Sequence, residues 1–243
     1  ALFTAALEPC ENLQGEGYAV FDKTSFYAES GGQVGDAGEI LCQGQPVARV
    51  LDVQKPLGKV YVHKVNGRLT QGQKVTLSVN AALRKRCMAN HSAIHLVNAA
   101  LRQVFGDSVH QSGSFVSPER FRFDYTLSRT PKTEELDRAW AIANQAVENA
   151  LAVNCQVRPL ADADKLGAVT LLGETYADPA RFVMMGGSFE APEQKYSLEL
   201  CAGTHVRNTA DVITILVLKE ASVSAGVRRI EGVAGPAALD YLK

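Results

Sequence analysis

The sequence has no CxxC pair, no apolar run near the ~20 residues a membrane helix needs, and almost no net charge. Its five cysteines are odd in number and scattered at positions 10, 42, 87, 155 and 201. That spacing argues against a disulfide framework and for a reducing compartment, so the cytoplasm is the expected location and no membrane partner is expected. Twenty-five basic against 26 acidic residues leave a formal charge of −1, so no global basic field advertises nucleic-acid binding. A partner gripped at one end by a local patch stays compatible with that balance. The start, Ala1-Leu2-Phe3-Thr4, lacks an initiator Met, a basic n-region and a long apolar stretch; the expectation is an excised piece of something longer.

What is present is a chain of 243 residues, 46% hydrophobic, enough to bury the core of one domain or two. Short alternating or β-branched runs at 18–22, 40–42, 47–53, 60–65 and 75–79 read as strands. Turn signals separate them at Gly31-Gly32, Gly44-Gln45-Pro46, Pro56-Leu57-Gly58 and Asn66-Gly67, the last favouring a tight hairpin turn. This predicts a small barrel or sandwich over residues 1–80. From Ala81 to Phe105 the chain has no Pro or Gly, and Leu83, Cys87, Ile94, Val97, Leu101 and Val104 recur at helical intervals. Strands are expected at 108–116 and 120–126. A second helix should start at Thr130-Pro131 and run to about Val153. Further strands should occupy 156–160, 182–185, 196–200, 212–219 and 227–233. The fold class is α+β: a small β-barrel-like domain over 1–80, then an α+β domain over 81–243.

His91 and His95 lie four residues apart in the first helix, so their imidazoles project from one face a turn apart. The segment Cys201-Ala202-Gly203-Thr204-His205 repeats that spacing with a thiolate and a third imidazole, separated by small residues that suit a loop. Three nitrogens and one sulfur suit zinc better than a hard cation or an iron–sulfur cluster. Either pair alone is weak evidence; a shared site rests on their coincidence in one domain. A purely structural zinc, closed by four protein ligands, stays open at this point.

The chain resembles the editing domain of alanyl-tRNA synthetases and the free-standing proteins similar to it. The motifs that carry the likeness are Thr24-Ser25-Phe26-Tyr27-Ala28-Glu29-Ser30-Gly31-Gly32-Gln33-Val34-Gly35-Asp36, His91-Ser92-Ala93-Ile94-His95-Leu96 and Gln111-Ser112-Gly113-Ser114. Arg122-Phe123-Asp124, Leu200-Cys201-Ala202-Gly203-Thr204-His205 and Gly226-Val227-Arg228-Arg229-Ile230-Glu231 follow in the family's order. Threonyl-tRNA synthetase editing domains look similar around the metal motifs but lack the β-rich part, so the alanyl type is preferred.

The resemblance implies hydrolysis of serine or glycine wrongly esterified to tRNA(Ala), with the acceptor end of that tRNA as partner. The catalytic and C-terminal regions of a parent synthetase are the implied protein partners. It assigns His91, His95, Cys201 and His205 to Zn2+, with Cys201 and Gln111 as catalytic-site residues. Ile94 stands where the family commonly has Thr, which removes a candidate contact to a serine substrate; Ala202 replaces the usual Gly. Gly31, Gly32, Gln33 and Asp36 become candidates for substrate approach. Arg228, Arg229 and the run Arg84-Lys85-Arg86 become candidates for phosphate contacts. The alternative is a non-catalytic tRNA-binding appendage whose zinc is structural. A general metallohydrolase is disfavoured, because Ser92 stands where an HExxH helix carries its glutamate.

Overall fold

The computed structural model describes residues 1–56, 58–171 and 173–243. Leu57, and with it the expected turn at Pro56-Leu57-Gly58, lies outside the described residues. The chain divides into two compact units, Ala1–Arg84 and Lys85–Lys243.

The first unit is one antiparallel sheet of seven strands: β1 (Leu2–Thr4), β2 (Pro9–Cys10), β3 (Asn12–Ala19), β4 (Gly38–Cys42), β5 (Gln45–Gln54), β6 (Val62–Thr70) and β7 (Thr76–Val79). Their order is β2-β1-β3-β6-β5-β4-β7. The barrel-like closure expected for this unit is not found: among the described residues no pairing joins β2 to β7, and the sheet stays open. Its buried face collects Leu13, Ile40, Val50, Val53, Val65 and Leu69. In β5 a register shift between Val50 and Asp52 switches the inward positions from even to odd numbers, so Val50 and Val53 both point into the core.

Asn66-Gly67 is not a hairpin turn. Both residues lie inside β6, with Gly67 paired to Gly15 on one side and Ala48 on the other. Gly67 has φ of 154°, and a Cβ there would lie 2.4 Å from the Cα of Ala48, so close backbone approach is what this glycine permits. The antiparallel partners β5 and β6 instead face each other from Gln54 and Val62.

The second unit opens within the helix α1 (Ala81–Phe105) and continues through β8 (Gln111–Val116), β9 (Phe121–Thr126), α2 (Thr133–Glu148), β10 (Val153–Arg158) and α3 (Asp162–Leu166). It ends with β11 (Ala180–Met185), β12 (Ser197–Leu200), β13 (Ile215–Ser224), β14 (Val227–Ala234) and α4 (Pro236–Tyr241). One antiparallel sheet has the order β13-β14-β9-β8, the other β10-β11-β12. Helix α2 starts three residues later than Thr130, because Glu135 turns back to accept the backbone N–H of Lys132 at 2.8 Å. It ends before Val153, where Ala150 enters the left-handed region at φ of 49°.

Between Ala89 and Asn98 every residue of α1 is buried. The interruption of its apolar stripe at Asn90-His91 is therefore not a solvent face. Asn90 instead donates to the carbonyl of Ser117 at 2.8 Å and accepts from the N–H of Ala234 at 2.8 Å, linking the helix to both flanking segments. Strand β11 separates two cores: Val183 and Met185 face α1 and α2, while Phe182 and Met184 face the smaller core with Leu198 and Leu200 of β12.

Candidate metal centre

Helix α1 supplies His91 and His95, and the loop leaving β12 supplies Cys201 and His205. One donor atom from each lies within 4.8 Å of every other, close enough for the four to hold one ion. Nε2 of His91 is 3.4 Å from the Cys201 sulfur, and Nε2 of His205 is 3.3 Å from it. The rings of His91 and His205 stand 4.3 Å apart, those of His95 and His205 4.6 Å.

Burial sets the electrostatics. Desolvation holds His91 and His205 well below the usual imidazole range and takes His95 down to about 3, the Arg181 charge acting in the same direction. Three neutral imidazoles with available lone pairs result. The same burial pushes the Cys201 thiol up to about 12, against an opposing hydrogen bond from the N–H of Gly203. A cation is the partner that reverses this penalty, because it favours thiolate over thiol.

The outer partners are as specific. Ser92 Oγ lies 3.2 Å from Nδ1 of His205 and accepts the N–H of Val206 at 3.1 Å. Nδ1 of His95 is buried with no hydrogen-bond partner, and the nearest acid is Glu199, whose Oε2 lies 3.6 Å away. Desolvation raises Glu199 to about 7 against hydrogen bonds from Asn98 and Ser197. Arg181 donates to the carbonyls of Cys201 and Gly203. Sequence reasoning did not assign Ser92, Glu199, Asn98 or Arg181 to the surroundings of the metal. Glu199 carried a signal in the polar–apolar alternation of Ser197-Leu198-Glu199-Leu200-Cys201; Ser92, Asn98 and Arg181 carried none.

Other expected site residues are placed as follows. Ile94 is buried in the main core of the second unit. Gln111 opens β8 just before a register shift at Ser112, and its amide donates to Ser114 Oγ at 3.1 Å. Arg228 forms an ion pair with Glu220, and Arg229 grips both oxygens of Asp124 at 2.7 and 2.8 Å. As adjacent β14 residues, they alternate sides of their strand. In the first unit Gly31 and Gly32 form the centre of a tight turn, both with positive φ, across which Ser30 and Gln33 exchange backbone hydrogen bonds. Gln33 is fully buried. Asp36 accepts from the N–H of Tyr27 at 2.6 Å and forms an ion pair with Arg84. Arg86 pairs with Asp240, while Lys85 is exposed.

Comparison with known proteins gives this geometry its context. Residues 180–231, which contain Arg181, Glu199, Cys201 and His205, match the family described as "Threonyl and Alanyl tRNA synthetase second additional domain". Residues 6–83 match "tRNA synthetases class II (A)". Over 239 residues the chain is 56% identical to an alanine–tRNA ligase of Elusimicrobium minutum (strain Pei191), covering 97% of this chain and 27% of that one. The chain belongs to the alanyl-tRNA synthetase family. Alanine–tRNA ligases of Hyphomonas neptunium and Pelotomaculum thermopropionicum are each 44% identical over 227 residues, 92% of this chain. They cover it with 26% and 25% of their own length, so the chain spans about a quarter of these relatives. Among the described residues no helix is long and apolar enough to cross a membrane.

Proposed function

We propose that this part of an alanyl-tRNA synthetase edits mischarged tRNA(Ala), hydrolysing the ester that joins serine or glycine to the tRNA, at a centre that holds zinc. The observation that carries the reading is the convergence of His91 and His95 with Cys201 and His205, the last two within the residues that match the second additional domain. Tetrahedral zinc with bonds of about 2.05 Å to nitrogen and 2.3 Å to sulfur has N–S edges of roughly 3.6 Å. The separations of 3.3 and 3.4 Å lie near that edge and support such a shell.

The need for the reaction is physical. A synthetic pocket sized for alanine cannot strongly reject the smaller glycine, and rejecting one added hydroxyl by size alone gains only about a hundredfold, so a second hydrolytic site completes the discrimination. Water adds to the ester carbonyl, the bond to the terminal ribose oxygen breaks, that oxygen takes a proton, and free amino acid leaves intact tRNA(Ala). Bound zinc supplies a cationic anchor for the substrate's polar groups. His91, His95, Cys201 and His205 hold it, and because four protein ligands already fill a tetrahedron, positioning is favoured over water activation. Gln111 orients the ester carbonyl or the water through its amide. Ile94, beside His95, replaces a hydroxyl with apolar bulk and shifts preference away from serine. Gly31, Gly32, Gln33 and Asp36 serve substrate approach. Arg228 and Arg229 serve the acceptor end, which requires that phosphates compete with Glu220 and Asp124. The remaining regions of a parent synthetase are the proposed protein partners, and the cytoplasm the proposed location.

The test is deacylation of Ser-, Gly- and Ala-tRNA(Ala) with metal analysis on the same sample. The parent should release serine or glycine but spare alanine, Cys201→Ala should abolish release, and Ile94→Thr should raise serine release. A Cys201→Ala protein as fast as the parent would refute the metal-centred reading. The closed four-ligand shell also favours a second reading, a tRNA-binding appendage with structural zinc. It predicts tRNA binding without turnover and unfolding of the second unit on chelation.

A further inference from the structure

We infer that Glu199 is a positioning residue for the metal centre, its carboxylate accepting from Nδ1–H of His95 and so holding the other ring nitrogen toward the ion.

The placement follows from two periodicities. Along β12, Leu198 and Leu200 enter the smaller core with Phe182 and Met184, which turns Ser197 and Glu199 to the opposite side. Cys201 continues that side just beyond the strand. On α1, His91, His95 and Asn98 follow at intervals of four and three and share a face. The two rows meet in sequence order. Cys201 Sγ faces Nε2 of His91 at 3.4 Å, Glu199 Oε2 faces Nδ1 of His95 at 3.6 Å, and Glu199 Oε1 accepts from the Asn98 amide at 3.1 Å.

The two carboxylate oxygens have different work. Oε1 takes the Asn98 amide and the Ser197 hydroxyl, the latter at 3.3 Å, which anchor the group to both the helix and its own strand. Oε2 is turned to His95. A buried ring N–H requires an acceptor, and Nδ1 of His95 has no other partner, so a shift of a few tenths of an ångström makes this bond. Metal-bound histidines generally donate their second nitrogen to a carboxylate or carbonyl, which fixes the tautomer and raises the basicity of the ligating nitrogen. Glu199 supplies that acceptor for His95, as Ser92 does for His205.

The inference rests on the four donors binding zinc, but not on the deacylation. Zinc affinity of the whole chain, measured by competition with a chromophoric chelator, should fall about 10–100-fold in Glu199→Gln. The cobalt-substituted variant should show shifted visible bands, and the melting temperature of the metal-free variant should match the parent. An affinity within twofold of the parent overturns the inference. So does a loss of affinity accompanied by a lower melting temperature of the metal-free variant, since the role is then structural. Independently of any variant, nitrogen NMR of the zinc-loaded parent should place the His95 proton on Nδ1; metal on Nδ1 or a proton on Nε2 overturns it. A parent that binds zinc without deacylating tRNA removes the proposed function and leaves this assignment standing, whereas a parent that binds no zinc removes both.

Discussion

Arg181 donates from Nη1 to the carbonyl of Cys201 at 2.7 Å, and the same nitrogen reaches the carbonyl of Gly203 at 2.8 Å. The Cys201 N–H also donates to the Arg181 carbonyl at 3.1 Å, so Arg181, rooted in β11, holds the start of the loop with its backbone and the stretch towards His205 with its guanidinium. Its other terminal nitrogen reaches the Cys155 sulfur on the neighbouring β10 at 3.2 Å.

Replacing Arg181 with Met should therefore loosen the thiolate–imidazole pair while sparing the helix pair. Hydrogen bonds from a charged donor contribute about 1.5–3 kcal/mol, an upper range here because Arg181 is partly exposed. The expected result is a lower melting temperature and weaker zinc binding. Unchanged zinc affinity would show that the loop holds its shape alone.

The Ser92 hydroxyl has two partners, and only one is on the metal side. In Ser92→Ala the buried N–H of Val206 loses its acceptor and His205 loses the neighbour of its Nδ1. Denaturant unfolding of the metal-free protein should show a loss of about 1–3 kcal/mol from the unpaired N–H. Zinc affinity should drop in addition.

The buried ionisable groups set the acid and alkaline limits of the metal-free protein. The three histidines are held below their ordinary value, so the unfolded chain binds more protons below pH 6.5, and stability falls as pH drops from there. Glu199, raised to about 7, acts in the opposite sense between 4.5 and 7. His63 of the first unit is lowered by burial as well, so near pH 5.5 the histidines outweigh Glu199, protons are taken up on unfolding, and destabilisation by acid prevails. At the other end Cys201, raised to about 12 from 9, binds its proton in the folded state only, and stability falls as pH rises above 9. Zinc binding at neutral pH should release the Cys201 proton together with the fraction of a proton that Glu199 holds there, and none from the histidines. Calorimetry in buffers of different ionisation enthalpy measures that number.

In the first unit, Gly67→Val should be severe. The new Cβ would meet Ala48 at 2.4 Å, and a β-branched residue is strained at φ of 154°. Overpacking and backbone strain together cost roughly 2–5 kcal/mol. A variant that unfolds at the parent's denaturant concentration would contradict the close approach of β5 and β6.

The metal pairs were legible because four-residue spacing is informative on a helix, and because a thiol and imidazole flanking small residues have few other uses. The helix itself followed from its lack of Pro and Gly. Strand β3 was largely invisible: Asn12-Leu13-Gln14-Gly15-Glu16-Gly17 contains few β-formers, and its place depends on pairing with β6, 44 or more residues away. Asn66-Gly67 misled for a related reason, since glycine at a strand crossing and glycine in a turn look alike until the partner strand is known. The shift in β5 hides one reversal of inward parity that alternation alone cannot reveal. For Arg228 and Arg229 the sequence showed two positive charges, while their pairing to Glu220 and Asp124 depends on strand register.

His91 and Cys201 are 110 residues apart along the chain. An ion seated between them ties a long stretch of polypeptide into a ring, which becomes possible only after β12 has docked beside α1. Closing so large a loop costs configurational entropy that grows slowly with its length, so the clasp forms late and locks what is already assembled. During synthesis the two helix histidines emerge from the ribosome long before their loop partners, and until residue 201 is out the chain has only half a cage.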